Sequence, residues 1–179
     1  MTILPTRRNV LTLALTGSAL AGCGFQPVYM PTTSGKPGVA ERELAAIDVA
    51  IIPDRPGQLL RQALQEHFSS DGGQPHRYGL GVSFWIAGEA VGIQTDNTAT
   101  RIRLTGIANW TLTSLDPSRT KLTSGSARSL DGYNMFDQQY FAATMENEQV
   151  QKRIAEALAD QVTLQLATWF RKRATPATG

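Results

Sequence analysis

The sequence predicts an α+β fold in which two helices pack on one face of a four-stranded, mostly antiparallel sheet, in the order β-α-β-β-β-α. Three observations predict it. Residues 100–112 show the cleanest alternation in the chain. Ile102, Leu104, Ala108, Trp110 and Leu112 fall on one side, with Arg101, Arg103, Thr105, Asn109 and Thr111 on the other. That is the pattern of a sheet with one packed and one solvated face. Near the C-terminus, Val150, Ile154, Leu158, Val162, Leu166 and Trp169 recur by threes and fours, the apolar stripe of an amphipathic helix. Finally, the chain left after its N-terminal leader runs from residue 23 to 179, the length of one domain with one core.

The elements follow in order. Residues 44–52 (LAAIDVAII) carry alternating apolar positions with a β-branched end and stop at Pro53, which predicts a first strand. Leu59, Leu60, Ala63, Leu64 and Phe68 then sit at helical spacing behind Pro56, a residue suited to a first helical turn. Asp71-Gly72-Gly73 ends that helix. Residues 78–87 put Leu80, Val82, Phe84 and Ile86 on one face. The strand is expected to run on past a bulge at Gly88 through Val91 and Ile93, with a turn at Thr95-Asp96-Asn97-Thr98. After the alternating strand, Asp116-Pro117-Ser118 turns the chain into a more polar strand, residues 120–130, expected at a sheet edge. The last helix starts at Tyr140 or Asn147 and ends at Arg173. Leu164 falls opposite its stripe, and Arg171-Lys172-Arg173 complements the negative end of the helix dipole.

The chain's one cysteine, Cys23, stands in the stretch LAGCGFQPVYM. A disulfide needs a partner, and there is none. Residues 1–22 read as a secretory signal: Arg7 and Arg8 form the positive region, and an apolar run too short to span a bilayer ends in Leu-Ala-Gly before the cysteine. That order resembles the lipobox of bacterial lipoproteins, in which the thiol becomes the thioether that carries lipid. Gly24 rather than Asp after the cysteine favours sorting to the outer membrane, and more than one acyl chain gives stable anchoring. The run Thr6-Arg7-Arg8-Asn9 also resembles a twin-arginine signal, so both export routes stay open. The expected organisation is a signal peptide at 1–22, a lipidated, Pro- and Thr-rich tether at 23–40, one α/β sandwich domain at 41–174 and a disordered tail at 175–179. Without the leader's two arginines, fifteen Lys and Arg balance fifteen Asp and Glu. No bulk positive field argues for nucleic acid as a partner.

Catalytic signals are poor. His67 and His76 lie far apart without a carboxylate pattern, and one Cys with two His makes no typical zinc site. The stretch GLGVSF leads into a strand and lacks a third glycine, and GKPG at Gly35 lacks a phosphate-loop frame. Glu146 and Glu148 are explained by a helix start. The sequence therefore predicts no enzyme, no metal and no cofactor beyond a covalent lipid on Cys23. The functional candidate is a face. Arg101 and Arg103 share one side of a strand, about 6–7 Å apart, and Lys121 or Arg119 is expected to join them across the hairpin. Such a cluster suits a phosphorylated lipid head group, because guanidinium forks pair with phosphate oxygens. The competing reading is that these cations solvate an open sheet.

GCGFQPVY at the cysteine, TATRIRLTGIANWTL, DGYNMFDQQYFAA and the ending ALADQVTLQLATWF, in this order across nearly the whole mature chain, resemble LptE, the lipopolysaccharide-assembly lipoprotein, in its alphaproteobacterial form. The resemblance implies a two-helix, four-stranded sandwich. It also implies a role as partner of LptD, the outer-membrane β-barrel, plugging that barrel, assisting its assembly and contacting lipopolysaccharide on its way to the cell surface. It places the chain on the periplasmic side of the outer membrane through its lipid. Of residue roles, Cys23 alone carries over; Arg101, Arg103 and Lys121 are candidates from strand geometry. The alternative is another outer-membrane lipoprotein that binds peptidoglycan or serves as an envelope-assembly scaffold.

Overall fold

The structure, a computed structural model, describes residues 38–69, 75–93, 99–134 and 140–174. Cys23, the signal peptide, most of the tether, the turn at 95–98 and the tail at 175–179 lie outside the described residues. Seven elements follow one another: α1 (Val39–Leu44), β1 (Ile47–Val49), α2 (Arg55–Phe68), β2 (Tyr78–Ile93), β3 (Ala99–Ser114), β4 (Lys121–Asn134) and α3 (Tyr140–Ala174). The sheet order is β1-β2-β3-β4. β1 runs parallel to β2, and the two remaining pairs are antiparallel. The α+β class, the four strands and the two long helices are as expected. The short α1 is an addition, and it takes in Val39 and Ala40, which the sequence assigns to the tether.

The first strand is the largest departure. Only Ile47–Val49 pair as strand, where the apolar pattern predicts residues 44–52. At its start α1 takes Leu44 and caps on Ala45; at its end the cause lies in α2. Arg61 Nε donates to the Val49 carbonyl at 3.1 Å, and Gln58 Nε2 to the Ile52 carbonyl at 2.7 Å. Helix side chains thus take carbonyls that a longer strand would present to a neighbour. Ile52 is fully buried nonetheless, which explains the apolar signal. Its close approach to α2 requires Gly57, since a Cβ there would stand 2.8 Å from the Ile52 side chain.

β2 and β3 are long strands paired almost throughout, Tyr78 opposite Ser114 and Ala90 opposite Ile102. Gly88 stays in register with Leu104, so the expected bulge is not there. The register slips at Ala90–Gly92 and again at Gly92–Ile93. β4 is an edge strand, as predicted, and α3 closes that edge with glutamines. The Arg128 amide donates to Gln161 Oε1 at 3.4 Å and the Arg128 carbonyl accepts from Gln161 Nε2 at 3.1 Å. Gln165 Nε2 donates to the Ser126 carbonyl at 3.0 Å. These amides occupy backbone groups that a bare edge would offer to another chain.

The core lies between the sheet and the helices. Leu80, Leu104, Ala108, Trp110, Leu112 and Ala127 from the strands meet Val150, Ile154, Leu158, Val162 and Leu166 from α3, with Leu60, Leu64 and Phe68 from α2. The α3 stripe ends in buried Phe170, whereas Trp169, the predicted last member, is half-buried beside it. From Val150 to Phe170 every step is four residues. At 3.6 residues per turn this rotates the stripe by about 40° each time. Ala155, Ala159, Thr163 and Ala167 are buried as well, and the broadened face lets one helix pack against α1, α2, β3 and β4 together. Leu164 points outward, as expected. Among the described residues, no helix is long and apolar enough to cross a membrane.

Candidate functional site

Among the described residues the helices pack on one side of the sheet, and the other face of β2–β3–β4 is left open by them. The register assigns its rows. Ser83, Asn109 and Ser126 stand side by side; then Trp85, Ile107 and Arg128; then Ala87, Thr105 and Leu130; then Glu89, Arg103 and Gly132. Arg101 faces Asn134 beyond them. The middle of the face is apolar, with Trp85 45% and Leu130 54% exposed on either side of half-buried Ile107. Arginines border it at both ends, Arg128 within the Trp85 row and Arg103 one row past Leu130.

Arg101 and Arg103 share this face as predicted. Arg103 Nη1 is bonded to Glu89 Oε1 at 2.9 Å, with both side chains substantially solvated. Such a pair contributes little to stability, so the guanidinium can exchange partners at small cost. Arg101 lies within electrostatic reach of Asp131. Asp131 is tied to α3 by Arg153 Nε at 2.6 Å. That charge-assisted bond is the main reason its carboxyl sits below the ordinary carboxylate range, helped by the Gly132 amide and the Arg101 charge.

Lys121 does not join the cluster. It pairs with Thr113, ten residues along β3 from Arg103, or roughly 33 Å at strand rise. Arg119 lies in the connecting loop at that same far end. The cation that the hairpin does bring to the open face is Arg128, which with Trp85 and Leu130 escapes a reading confined to the β3 alternation. Its signal is present in the sequence, since Ser124, Ser126, Arg128 and Leu130 alternate within β4, but the register that sets Arg128 beside Ile107 depends on where the turn begins. Glu146 and Glu148 also need another explanation. The helix starts at Tyr140, so neither is in its first turn, and Glu148 instead pairs with Arg55 at 3.6 Å. His67 is exposed and stands beside Asp160 at 3.5 Å. Among the described residues, no group of three or more His, Cys, Asp or Glu is placed to hold a metal.

The family model for LptE, lipopolysaccharide-assembly, matches residues 44–166, from the end of α1 through most of α3. The chain belongs to the LptE family. A putative lipoprotein from Caulobacter crescentus is similar in structure at a TM-score of 0.63, with 28% identity over 78% of this chain and 100% of that one. The rare lipoprotein B of Shewanella oneidensis gives a TM-score of 0.55 with 10% identity, covering 72% of this chain and 97% of its own; that likeness is one of fold. No curated relative matches the chain. As a member of the LptE family the chain is a lipopolysaccharide-assembly lipoprotein, and the α+β sandwich described above is the LptE-like fold.

Proposed function

We propose that this LptE-family chain is a non-enzymatic subunit of the lipopolysaccharide translocon. Held by acyl chains on Cys23 to the periplasmic side of the outer membrane, it plugs the LptD β-barrel, assists its assembly and contacts lipopolysaccharide during delivery to the surface. The observation that carries the reading is the family match over residues 44–166. The open sheet face supports it. A plug needs a surface that is polar overall, so that it hydrogen-bonds to a wet lumen, yet it needs places that bind an amphiphile. Thr105, Asn109, Thr111 and Ser126 supply the first. The Trp85–Ile107–Leu130 patch between Arg103 and Arg128 supplies the second, with acyl carbon beside apolar side chains and phosphate beside guanidinium. Arg101 and Arg103 remain the proposed lipopolysaccharide contacts. Lys121 no longer belongs with them.

Affinity capture from detergent-solubilised outer membrane tests the partnership. The chain should bring down a β-barrel, and its loss should leave that barrel misassembled; purified complexes without a barrel would sink the reading. For the face, Arg101→Glu with Arg103→Glu should weaken lipopolysaccharide binding by roughly tenfold or more, since two charge-assisted contacts become repulsive. Unchanged binding in the folded variant would return both arginines to the role of solvating an open sheet.

A further inference from the structure

The mature chain carries no net charge, but the fold does not spread its charges evenly. At the end of the sheet remote from Arg101, three separate segments bring cations together. Arg77 leads into β2, Arg119 lies in the β3–β4 connection with Lys121 opening β4, and Arg171, Lys172 and Arg173 close α3. Helix-dipole complementarity accounts for the last three alone. It gives no reason for the other two segments to converge there. The acidic groups at this end are already engaged. Glu43 accepts from Arg77 Nη2 at 2.8 Å and from the Tyr78 hydroxyl at 2.7 Å. Asp116 accepts from the Ser118 hydroxyl and from the Arg119 amide at 3.1 Å.

Between these segments lies a hollow of about 620 Å³ lined by Arg77, Arg173, His76, Thr120, Leu115 and Leu122, and also by Asp116, whose carboxylate is the one capped by Ser118 and the Arg119 amide. Two of its guanidinium groups are held in place. Arg77 is fixed by Glu43, and Arg173 lies over the Trp169 ring, 5.3 Å from its centroid. Leu115, 39% exposed, and half-buried Leu122 give the hollow an apolar side, and the Thr120 hydroxyl adds a neutral donor. Positive charge, hydroxyl and exposed leucine in one concavity match the phosphate of an amphiphile together with its first methylenes. A free inorganic anion would leave the leucines unused.

We infer that this hollow is a second anion site, for the phosphorylated head group of a lipid, at the opposite end of the sheet from Arg101 and Arg103. Two sources share that chemistry, a glycerophospholipid and a phosphorylated glycolipid such as lipid A. The site rests on the envelope placement proposed above only for the supply of its ligand. α1 ends here through Glu43, so the described chain enters the domain at the same end.

The test uses the whole mature chain, residues 23–179, with Cys23→Ala so that no acyl chain of its own competes. Calorimetry with dihexanoyl phosphatidylglycerol, with detergent-dispersed lipid A and with inorganic phosphate compares the probes. At least one amphiphile should bind, and more tightly than inorganic phosphate; which one binds identifies the source. Arg173→Glu with His76→Glu, both exposed positions, should weaken that binding by roughly tenfold or more, as expected when one guanidinium contact is reversed and a second carboxylate is set facing the phosphate. Arg55→Glu with Lys152→Glu, solvated basic positions outside both candidate sites, should leave it within about twofold. The inference is overturned if neither amphiphile binds, if inorganic phosphate binds as tightly as they do, if the Arg173–His76 variant binds normally, or if both variant pairs lose equally. Its failure would leave capture of the barrel untouched, and failure of that capture would leave this site standing.

Discussion

At the scale of single residues, the most informative positions are those where a strand meets α3 closely. Gly106 sits in β3 between Leu104 and Ala108, on the core side, and a Cβ there would run into the Ile154 side chain and crowd Leu158 and Phe84. Gly106→Ala should therefore destabilise the domain by about 1–3 kcal/mol through overpacking, read as a lower urea midpoint with an unchanged slope. Gln165 has two tasks. Its Oε1 accepts from the buried Trp110 indole at 3.1 Å, and its Nε2 satisfies the Ser126 carbonyl. Gln165→Ala leaves a buried donor without its partner, so a loss of about 1–3 kcal/mol is expected, together with a change in near-ultraviolet dichroism from Trp110. A loss near zero would mean that water replaces the amide. Neither position was legible beforehand, because a glycine and a glutamine become important only when another element is set against them.

At the scale of elements, β4 is held to α3 by Gln161, Gln165 and the Arg153–Asp131 pair rather than by a further strand. This tie predicts a pH dependence. The Arg153 guanidinium lowers the Asp131 carboxyl below its ordinary value of 3.8 in the folded chain. A depressed carboxylate contributes stability above its unfolded pKa, and that contribution is lost as pH falls through the folded value. The stability difference between the wild type and Asp131→Asn should thus be full near neutrality. It should shrink below about pH 4, as chemical denaturation at several pH values would show; a difference constant across that range would contradict the pair's role. The strands and the two long helices could be read in advance because each carries its own period, two in β3 and near four in α3. The period-two pattern of β3 even assigned the faces correctly. The six-residue α1 carried no such signal, since its register depends on packing against α3. The first strand was overread because burial of Ile52 resembles strand burial when seen in one dimension.

At the scale of the whole molecule, one core joins α1, the sheet and both long helices, and α3, about 52 Å long at 1.5 Å per residue, borders most of it. Unfolding should therefore be one cooperative transition, with tryptophan fluorescence and far-ultraviolet dichroism coinciding; separated midpoints would mean that α3 leaves the sheet independently. By itself the sequence determined the class of fold, the family resemblance, the two faces of β3 and the presence of Arg101 and Arg103 on the solvated one. All of these follow from local periodicity or from short motifs. Only the tertiary structure decided where Lys121 and Arg128 stand. The register of β4 is set jointly by the Asp116–Thr120 connection, a slip next to Leu112 and the docking of α3, and moving along a strand by ten residues changes which end of the molecule a charge occupies. The same cause segregates a balanced set of charges into a basic end, because distances between segments far apart in sequence come into being with the core that packs them.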